Sequence, residues 1–168
     1  MKLLAVLVAV LLALGAMASS EAELPYHLTI PMVARDPTLE EELFAGHNEA
    51  RAAAGLSPLE WDTGLAAIAS EDAARNAARG DIEHDGWYRD QVAAIFPYQN
   101  WLGENLLVHT AGPNTDNINL AGFMMDRWIS SPGHYENIVF PGYDHVGIGS
   151  LRDSEGRTWV AVIFVDLS

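Results

Sequence analysis

The residues from Thr158 to Leu167 read TWVAVIFVDL and constrain the fold more than any other segment. Successive side chains of a strand point to opposite faces of a sheet, and here both faces are almost entirely apolar. A strand of this kind belongs inside a layered sheet that is covered on both sides. The preceding segment YDHVGIGSLR alternates through Val146, Ile148 and Ser150, and DSEGR is a tight connection between the two. The C-terminal part is therefore predicted to be an antiparallel hairpin.

Apolar residues at helical spacing predict three helices upstream of this hairpin. Their predicted ranges are 38–55, 63–79 and 116–130. Thr38 is expected to cap the first helix, Gly80 to stop the second, and Pro132-Gly133 to end the third. Residues 81–102 are expected to form a long irregular segment, and loops of that length are often functional. Helices followed by an antiparallel hairpin indicate an α+β fold built in layers.

The N-terminus reads MKLLAVLVAVLLALGAMASS, a lysine, an apolar run and the small-residue pattern AMA. This layout is typical of a secretory signal peptide, predicted here over residues 1–18. The apolar run is shorter than the ~20 residues of a spanning helix, which disfavours a membrane anchor, and no membrane span is expected after cleavage. Residues 19–37 form a leader, whose β-prone run 26–33 either pairs along a sheet edge or acts as a tether. The compact domain is predicted over residues 38–168.

The chain holds 23 acidic residues against nine lysines and arginines, which gives a formal net charge of −14. Lys2 is its one lysine, so the predicted mature chain has arginine as its only strongly basic residue. Such a surface repels phosphate backbones and argues against a nucleic-acid partner. The chain has no cysteine, which excludes disulfides, thiol catalysis and cysteine metal ligands. About 130 residues follow the leader, enough for a core that needs no cross-links.

Two ionisable residues stand in apolar company, Glu104 in WLGENLLVH and His134 in WISSPGHYENIVF. Buried or half-buried charge needs a partner, which makes both residues candidates for a common site. His84, which follows an acidic turn, is the third candidate. Taken singly, each of the three is more often a structural residue than a ligand. His47 and Arg51 share one helix face and are interpreted as structural, with His47 bonded to a backbone group and Arg51 paired with an acid.

Six short motifs follow one another between about Leu39 and Leu167. They are H-N-x-x-R, L-x-W-D, an isolated histidine, G-E-N, W-x-x-S-P-G-H and a G-x-G strand. This order resembles the CAP superfamily of cysteine-rich secretory proteins, antigen 5 allergens and plant pathogenesis-related proteins, and WISSPGH is similar to the bacterial SCP-domain branch. The resemblance implies a three-layer α-β-α sandwich with a central antiparallel sheet. It also implies a shallow cleft lined by two histidines and two glutamates.

By motif position, His84 and His134 match the two histidines of the family cleft, and Glu104 matches one glutamate. Ser131 occupies the other glutamate position, three residues after the tryptophan of the third predicted helix. Asn105 is expected to bond neighbouring backbone and to fix the segment that aims Glu104. The two histidines and Glu104 could hold a divalent metal such as zinc with an open coordination position. The alternative is that both rings only hydrogen-bond Glu104 and a water.

The resemblance implies a secreted protein, located outside the cell or in the periplasm, and two functions are open for it. The first is a non-catalytic binding module whose cleft holds a small apolar ligand, such as a lipid or sterol, or a divalent metal. The alternative is a metal-assisted hydrolase of the peptidase type, with Glu104 as general base. No nucleophile stands beside a histidine in a recognisable pattern, which favours the first and leaves enzymatic activity undecided. A cell-envelope component is a further candidate partner, and the sequence does not specify an oligomeric state.

The signal-peptide interpretation predicts that the mature protein begins at Ser19. Small residues at the end of the apolar run favour cleavage after Ala18. The intact mass of protein recovered from the culture fluid or the periplasm measures this directly. A recovered mass that still includes residues 1–18 would identify the segment as an uncleaved anchor.

Overall fold

The structure, a computed structural model, describes residues 35–110 and 115–168. The predicted signal peptide and most of the predicted leader, including the run 26–33, lie outside these residues. Residues Asp36–Ser168 form one compact unit. Within the described ranges, no helix combines the length and the apolar character needed to cross a bilayer.

The described part of the chain contains helices and strands in the following order. They are α1 (Leu39–Ala53), β1 (Glu60–Trp61), α2 (Thr63–Arg79), α3 (Trp87–Ile95), β2 (Leu102–Thr110), α4 (Asn117–Ile129), α5 (Pro132–Ile138), β3 (His145–Arg152) and β4 (Arg157–Val165). The strands form one sheet of order β1-β3-β4-β2. β4 runs antiparallel to both β3 and β2, which confirms the predicted hairpin and the central antiparallel sheet. β1 adds a two-residue parallel pair to β3, too short to be indicated by the sequence.

The two apolar faces of β4 contact two separate cores, one on each side of the sheet. Val160, Val162 and Phe164 point into the core that α1, α4 and α5 cover. Ala161 and Ile163 point into the core beneath α2 and α3. All five side chains are buried. The α+β class and the α-β-α sandwich expected from the sequence are therefore confirmed.

Two glycines of β3 allow α2 to lie directly on the sheet. A Cβ atom at Gly147 would be 2.2 Å from the backbone nitrogen of Ala66, and one at Gly149 would be 2.1 Å from the backbone nitrogen of Ser70. No side chain can occupy such a gap, because the helix backbone already fills it. The G-x-G pattern of β3 therefore sets the height at which α2 rests on the sheet.

The helix ends follow the predicted capping residues at two positions. The hydroxyl of Thr38 accepts a hydrogen bond from the backbone N–H of Glu41, and the carboxylate of Glu41 accepts one from the backbone N–H of Thr38, which completes a capping box. Gly80 ends α2 with φ of 77°, in the left-handed region that glycine adopts without strain.

Arg51 ties α1 to the segment that enters the sheet. Its guanidinium is 2% exposed and donates to the carbonyl oxygens of Ser57, Ile138, Phe140 and Tyr143 at 2.9–3.0 Å. The expectation that Arg51 pairs an acid is wrong. Four of the five N–H donors of this guanidinium are satisfied by converging carbonyl oxygens in place of a carboxylate.

His47 lies one turn before Arg51 and is fully buried. Its Nδ1–H donates to the carbonyl oxygen of Leu43 at 2.7 Å, as the structural interpretation predicts. Burial lowers the pKa of His47 to about 4, so the ring is neutral at physiological pH. His47 and Arg51 thus belong to the core rather than to the cleft.

Two segments differ from the sequence-based expectation. Residues 81–102 are predicted to be irregular, yet α3 occupies part of them and buries Tyr88 and Val92 one turn apart. Two core contacts are too few for a helical period to be visible in the sequence. Pro132 follows the end of α4 but also begins α5, because proline is tolerated in the first turn, where its missing N–H breaks no helical bond.

The close contact between α2 and β3 predicts opposite effects for two glycine-to-alanine substitutions. Gly149→Ala should lower the free energy of unfolding by about 1–3 kcal/mol or more, because the added Cβ meets helix backbone. Gly122→Ala, in α4, should raise it by about 0.5–1 kcal/mol, since nothing lies within 4 Å and alanine favours the helix. Urea unfolding of both variants measures the difference. Equal effects would show that α2 does not depend on the β3 glycines.

Candidate functional site

The candidate site lies along β2, an edge strand of the sheet. Alternation directs Glu104 and Leu106 to the side of α2 and α3, and Asn105 and Leu107 to the side of α4 and α5. The edge of β2 is therefore where residues from both helical layers can meet. The three candidate residues lie on different parts of the fold: His84 in the segment before α3, Glu104 on β2 and His134 on α5.

His84 and Glu104 are in direct contact, with Nδ1 of His84 2.5 Å from Oε2 of Glu104. The side chain of Glu104 is almost fully buried, whereas that of His84 is about half exposed. The segment that carries His84 is held by Asp85, whose carboxylate accepts hydrogen bonds from Arg75, Arg79 and the backbone N–H of Trp87. These bonds lower the pKa of Asp85 to about 2, and the bond from the backbone N–H of Trp87 has the largest effect.

A second carboxyl group, that of Asp72 in α2, lies beside Glu104. Asp72 is 1% exposed, and its Oδ2 has no N–H or O–H donor among the described residues. Burial raises the pKa of Asp72. Burial raises the pKa of Glu104 most, and the hydrogen bond and the charge of Asp72 raise it further, to about 9. One proton shared by the two carboxyls supplies the missing donor, because carboxylate oxygens can only accept.

Asp72 stands inside the apolar stripe of α2, between Ala69 and Ala73, and the sequence pattern assigns it no role. The signal was available, since an acid inside the apolar stripe of a helix needs a partner. The structure shows that the partner is Glu104. Asp72 thus brings a second carboxyl to the cleft from α2, while Ser131 occupies the position at which the family pattern has its second glutamate.

His134 lies on the opposite side of the cleft, near the start of α5. Its Nδ1 is 3.0 Å from the hydroxyl oxygen of Ser131. Burial, and then the nearby His84, lowers the pKa of His134, so the ring is neutral at physiological pH. A neutral imidazole offers one donor and one acceptor nitrogen.

Asn105 connects the two layers from a fully buried position on β2. Its side-chain amide donates to the backbone oxygen of His134 at 3.0 Å, and its side-chain oxygen accepts from Asn137 at 2.9 Å. Asn137 also donates to the backbone oxygen of Glu104 at 3.1 Å. Asn105 therefore holds the backbone at His134, and Asn137 links Asn105 to the backbone at Glu104. Sequence reasoning missed Asn137 because nothing in the pattern indicated that α5 would lie on the edge of β2.

A groove of about 380 Å³ runs from His134 along the edge of β2. Its apolar wall consists of Ile82, Leu106, Leu107, Val108, Phe123 and Trp128. Its polar members are His109, Arg127, Ser131 and His134. The volume lies within the usual range for small-molecule sites. Ser131 and His134 thus border both the predicted cleft and this groove, whereas His84 and Glu104 lie at the cleft side alone.

The comparison with known families agrees with this geometry. The model of the cysteine-rich secretory protein family, CAP, matches residues 44–165. This chain belongs to the CAP family. Pathogenesis-related protein 1A1 of Solanum lycopersicum is 42% identical over 67 residues, which is 39% of this chain and only 38% of that protein. A pathogenesis-related protein 1 of Arabidopsis thaliana is 24% identical over 154 residues and matches over 80% of this chain and 79% of its own length.

Solved structures share the CAP fold with this chain. An outer surface protein of Borrelia burgdorferi matches with a TM-score of 0.65 at 19% identity, over 80% of this chain and 98% of its own. A cysteine-rich secretory protein of Staphylococcus aureus matches with a TM-score of 0.61 at 22% identity, over 80% of this chain and 40% of its own. Likeness at these identities concerns the fold alone.

His84, His134 and Glu104 do not form a three-ligand zinc site among the described residues. Within residues 35–110 and 115–168, no three His, Asp or Glu side chains are grouped as metal ligands. His84 and His134 use Nδ1 for their bonds to Glu104 and Ser131, which leaves Nε2 of each ring for other partners, whereas a carboxyl that keeps its proton is a poor metal ligand. NaASP2, solved with Zn²⁺, matches with a TM-score of 0.57 at 14% identity, over 80% of this chain and 82% of its own. The described geometry here is a hydrogen-bonded polar pocket.

The carboxyl pair predicts how stability depends on pH. In the unfolded chain the carboxyl of Glu104 loses its proton near pH 4.5, whereas the folded pair keeps a proton up to about pH 9. The unfolded state therefore binds fewer protons in this window, and stability falls as pH rises, by at most about 1.4 kcal/mol per pH unit. Glu104→Gln should remove this contribution, so its stability relative to the wild type should increase between pH 5 and 9.

Urea unfolding at a series of pH values measures this difference. Glu136→Gln, on the exposed face of α5, makes the same chemical change outside the cleft and controls for net charge. If the two variants follow the same pH profile relative to the wild type, the carboxyls of Asp72 and Glu104 do not share a proton.

Proposed function

We propose that this CAP domain is an extracellular binding module whose groove holds the apolar body of a small molecule. The observation that carries the proposal is the groove itself. It has an apolar wall on β2 and α4, a volume suited to a small ligand, and four polar members, His109, Arg127, Ser131 and His134. Such a combination of apolar surface with a few polar groups is typical of small-molecule sites.

The cleft end of the groove provides a polar contact for such a ligand. His134 is neutral because its pKa is lowered, so the ring enters the site without the desolvation cost of a charge. Its bond to Ser131 fixes the ring, and Asn105 fixes the backbone behind it. The ligand therefore meets a preorganised hydrogen-bonding group, which reduces the entropy lost on binding.

The hydrolase alternative has less support. A general base must be ionised at the working pH, whereas Glu104 shares a proton with Asp72 and has a pKa raised to about 9. A divalent metal is not part of the proposal, since no three His, Asp or Glu side chains of the described residues are grouped as metal ligands. These two observations favour a binding module over a metal-assisted peptidase.

Three observations support an extracellular location. The matching family is described as secretory, one structural neighbour is an outer surface protein, and the sequence begins with a predicted signal peptide. A small apolar ligand outside the cell is also compatible with a strongly acidic exterior, because burial of apolar surface does not depend on net charge.

The proposal predicts saturable binding of a small amphiphile that depends on the groove wall. Decanol and decanoate serve as probes, followed by calorimetry or through the tryptophan fluorescence of the protein, to which Trp128 in the groove wall contributes. Phe123→Ala removes part of the wall and should weaken binding by roughly three- to tenfold. Phe123 is partly exposed, so this substitution should leave the fold intact.

Ile118→Ala is the matched control, since Ile118 is an exposed apolar residue of the same helix outside the groove. It should bind both probes as the wild type does. Saturable binding of neither probe, or equal affinities for the two variants, would contradict the proposed function.

A further inference from the structure

The groove differs in charge from the rest of this protein. The chain carries 23 acidic residues and a net charge of −14, yet none of the described residues that line the groove is acidic. Its ionisable members are His109, Arg127 and His134. By contrast, the groove between α1 and α4 is lined by Glu42, Glu49 and Asp126. An acidic chain thus has a local site at which an anion is not repelled.

Arg127 is the one arginine of this groove, and its guanidinium has no ion pair or hydrogen bond with any described residue. Three other described arginines are engaged with acids, although Arg152, like Arg127, has no ion pair with a described residue. Arg75 and Arg79 bond Asp85, and Arg157 bonds Asp153. A free guanidinium at the rim of an apolar groove offers five donors in a planar fork, which matches the oxygens of a carboxylate or phosphate.

His109, on β2, lines the same groove as Arg127. Its ring packs on that of Phe123, with centroids 4.1 Å apart, and Phe123 precedes Arg127 by one helical turn. The ring nitrogens of His109 have no hydrogen-bond partner among the described residues, so one N–H can be donated to a ligand. The contact with Phe123 fixes the ring without occupying its nitrogens.

We propose that Arg127 and His109 bind an anionic head group, a carboxylate or a phosphate, of a ligand whose apolar body lies along Val108 and Phe123. This inference rests on the proposed function and assigns a charge to the ligand of the same groove. Head and body then share one groove, with the head at Arg127 and His109 and the body against Val108 and Phe123. An arginine that only served solubility would not need an apolar groove beside it.

The inference is tested by comparing probes that share one apolar chain and differ in the head group. Decanoate and decyl phosphate carry an anionic head, and decanol carries a neutral one. Calorimetric titration of the full-length mature protein should show that at least one anionic probe binds at least about tenfold more tightly than decanol, as expected for charge-assisted hydrogen bonds. The ratio between decanoate and decyl phosphate identifies the preferred head.

Arg127→Gln should abolish this preference by weakening the anionic probes roughly tenfold while leaving decanol binding unchanged. Arg152→Gln is the matched control, because Arg152 is exposed, lies outside the groove and has no ion pair with a described residue. It makes the same change in net charge and should leave all three affinities unchanged.

The two proposals fail in different ways. If decanol binds as tightly as both anionic probes, or if Arg127→Gln and Arg152→Gln behave alike, the anionic head group is refuted and the apolar groove stands. If no probe binds saturably, the proposed function fails and the head-group inference fails with it.

Discussion

The contact between the backbone of α2 and the backbone of β3 is the constraint on which the cleft depends. Gly147 and Gly149 present no side chains, and the helix rests where their Cβ atoms would be. Because no side chains separate the backbone of α2 from that of β3, the helix cannot shift by rearranging side chains between them. Ser70 of α2 contacts Gly149, and Asp72 lies two residues further along the same helix. The carboxyl of Asp72 therefore has a fixed position relative to Glu104. A larger residue in β3 would separate the two carboxyls without touching the cleft.

The carboxyl pair determines what the cleft can accept. Two buried charges of the same sign would be costly, and one shared proton removes most of that cost. The same proton makes Glu104 unsuitable as a general base or metal ligand near neutral pH, and it leaves Oε2 as a fixed partner for His84. With His134 also neutral, the cleft carries little charge, which suits the uncharged part of a ligand.

The sequence predicted the layered fold because β4 is apolar on both faces and no other environment accommodates such a strand. It also predicted the capping of α1 by Thr38. The association of His84, Glu104 and His134 came from the resemblance to the CAP superfamily, since spacing alone does not bring together residues fifty positions apart. Asp72 and the groove residue Arg127 could not be assigned from the sequence. The role of each depends on which helix face meets the β2 edge, and that is decided by the packing of the layers.

Side chains cover the outer edge of β2, so the groove forms there without leaving an open strand edge for another chain to pair with. An edge strand presents unpaired backbone groups, and here Trp128 donates to the carbonyl oxygen of Leu106 while Asn137 donates to that of Glu104. The indole of Trp128 also forms part of the groove wall, so one side chain both closes the edge and shapes the site. Ser131 stands in this groove at the position where the family pattern has a glutamate. The neutral side chain of Ser131 adds no negative charge beside Arg127, in a groove whose described lining has no acidic residue.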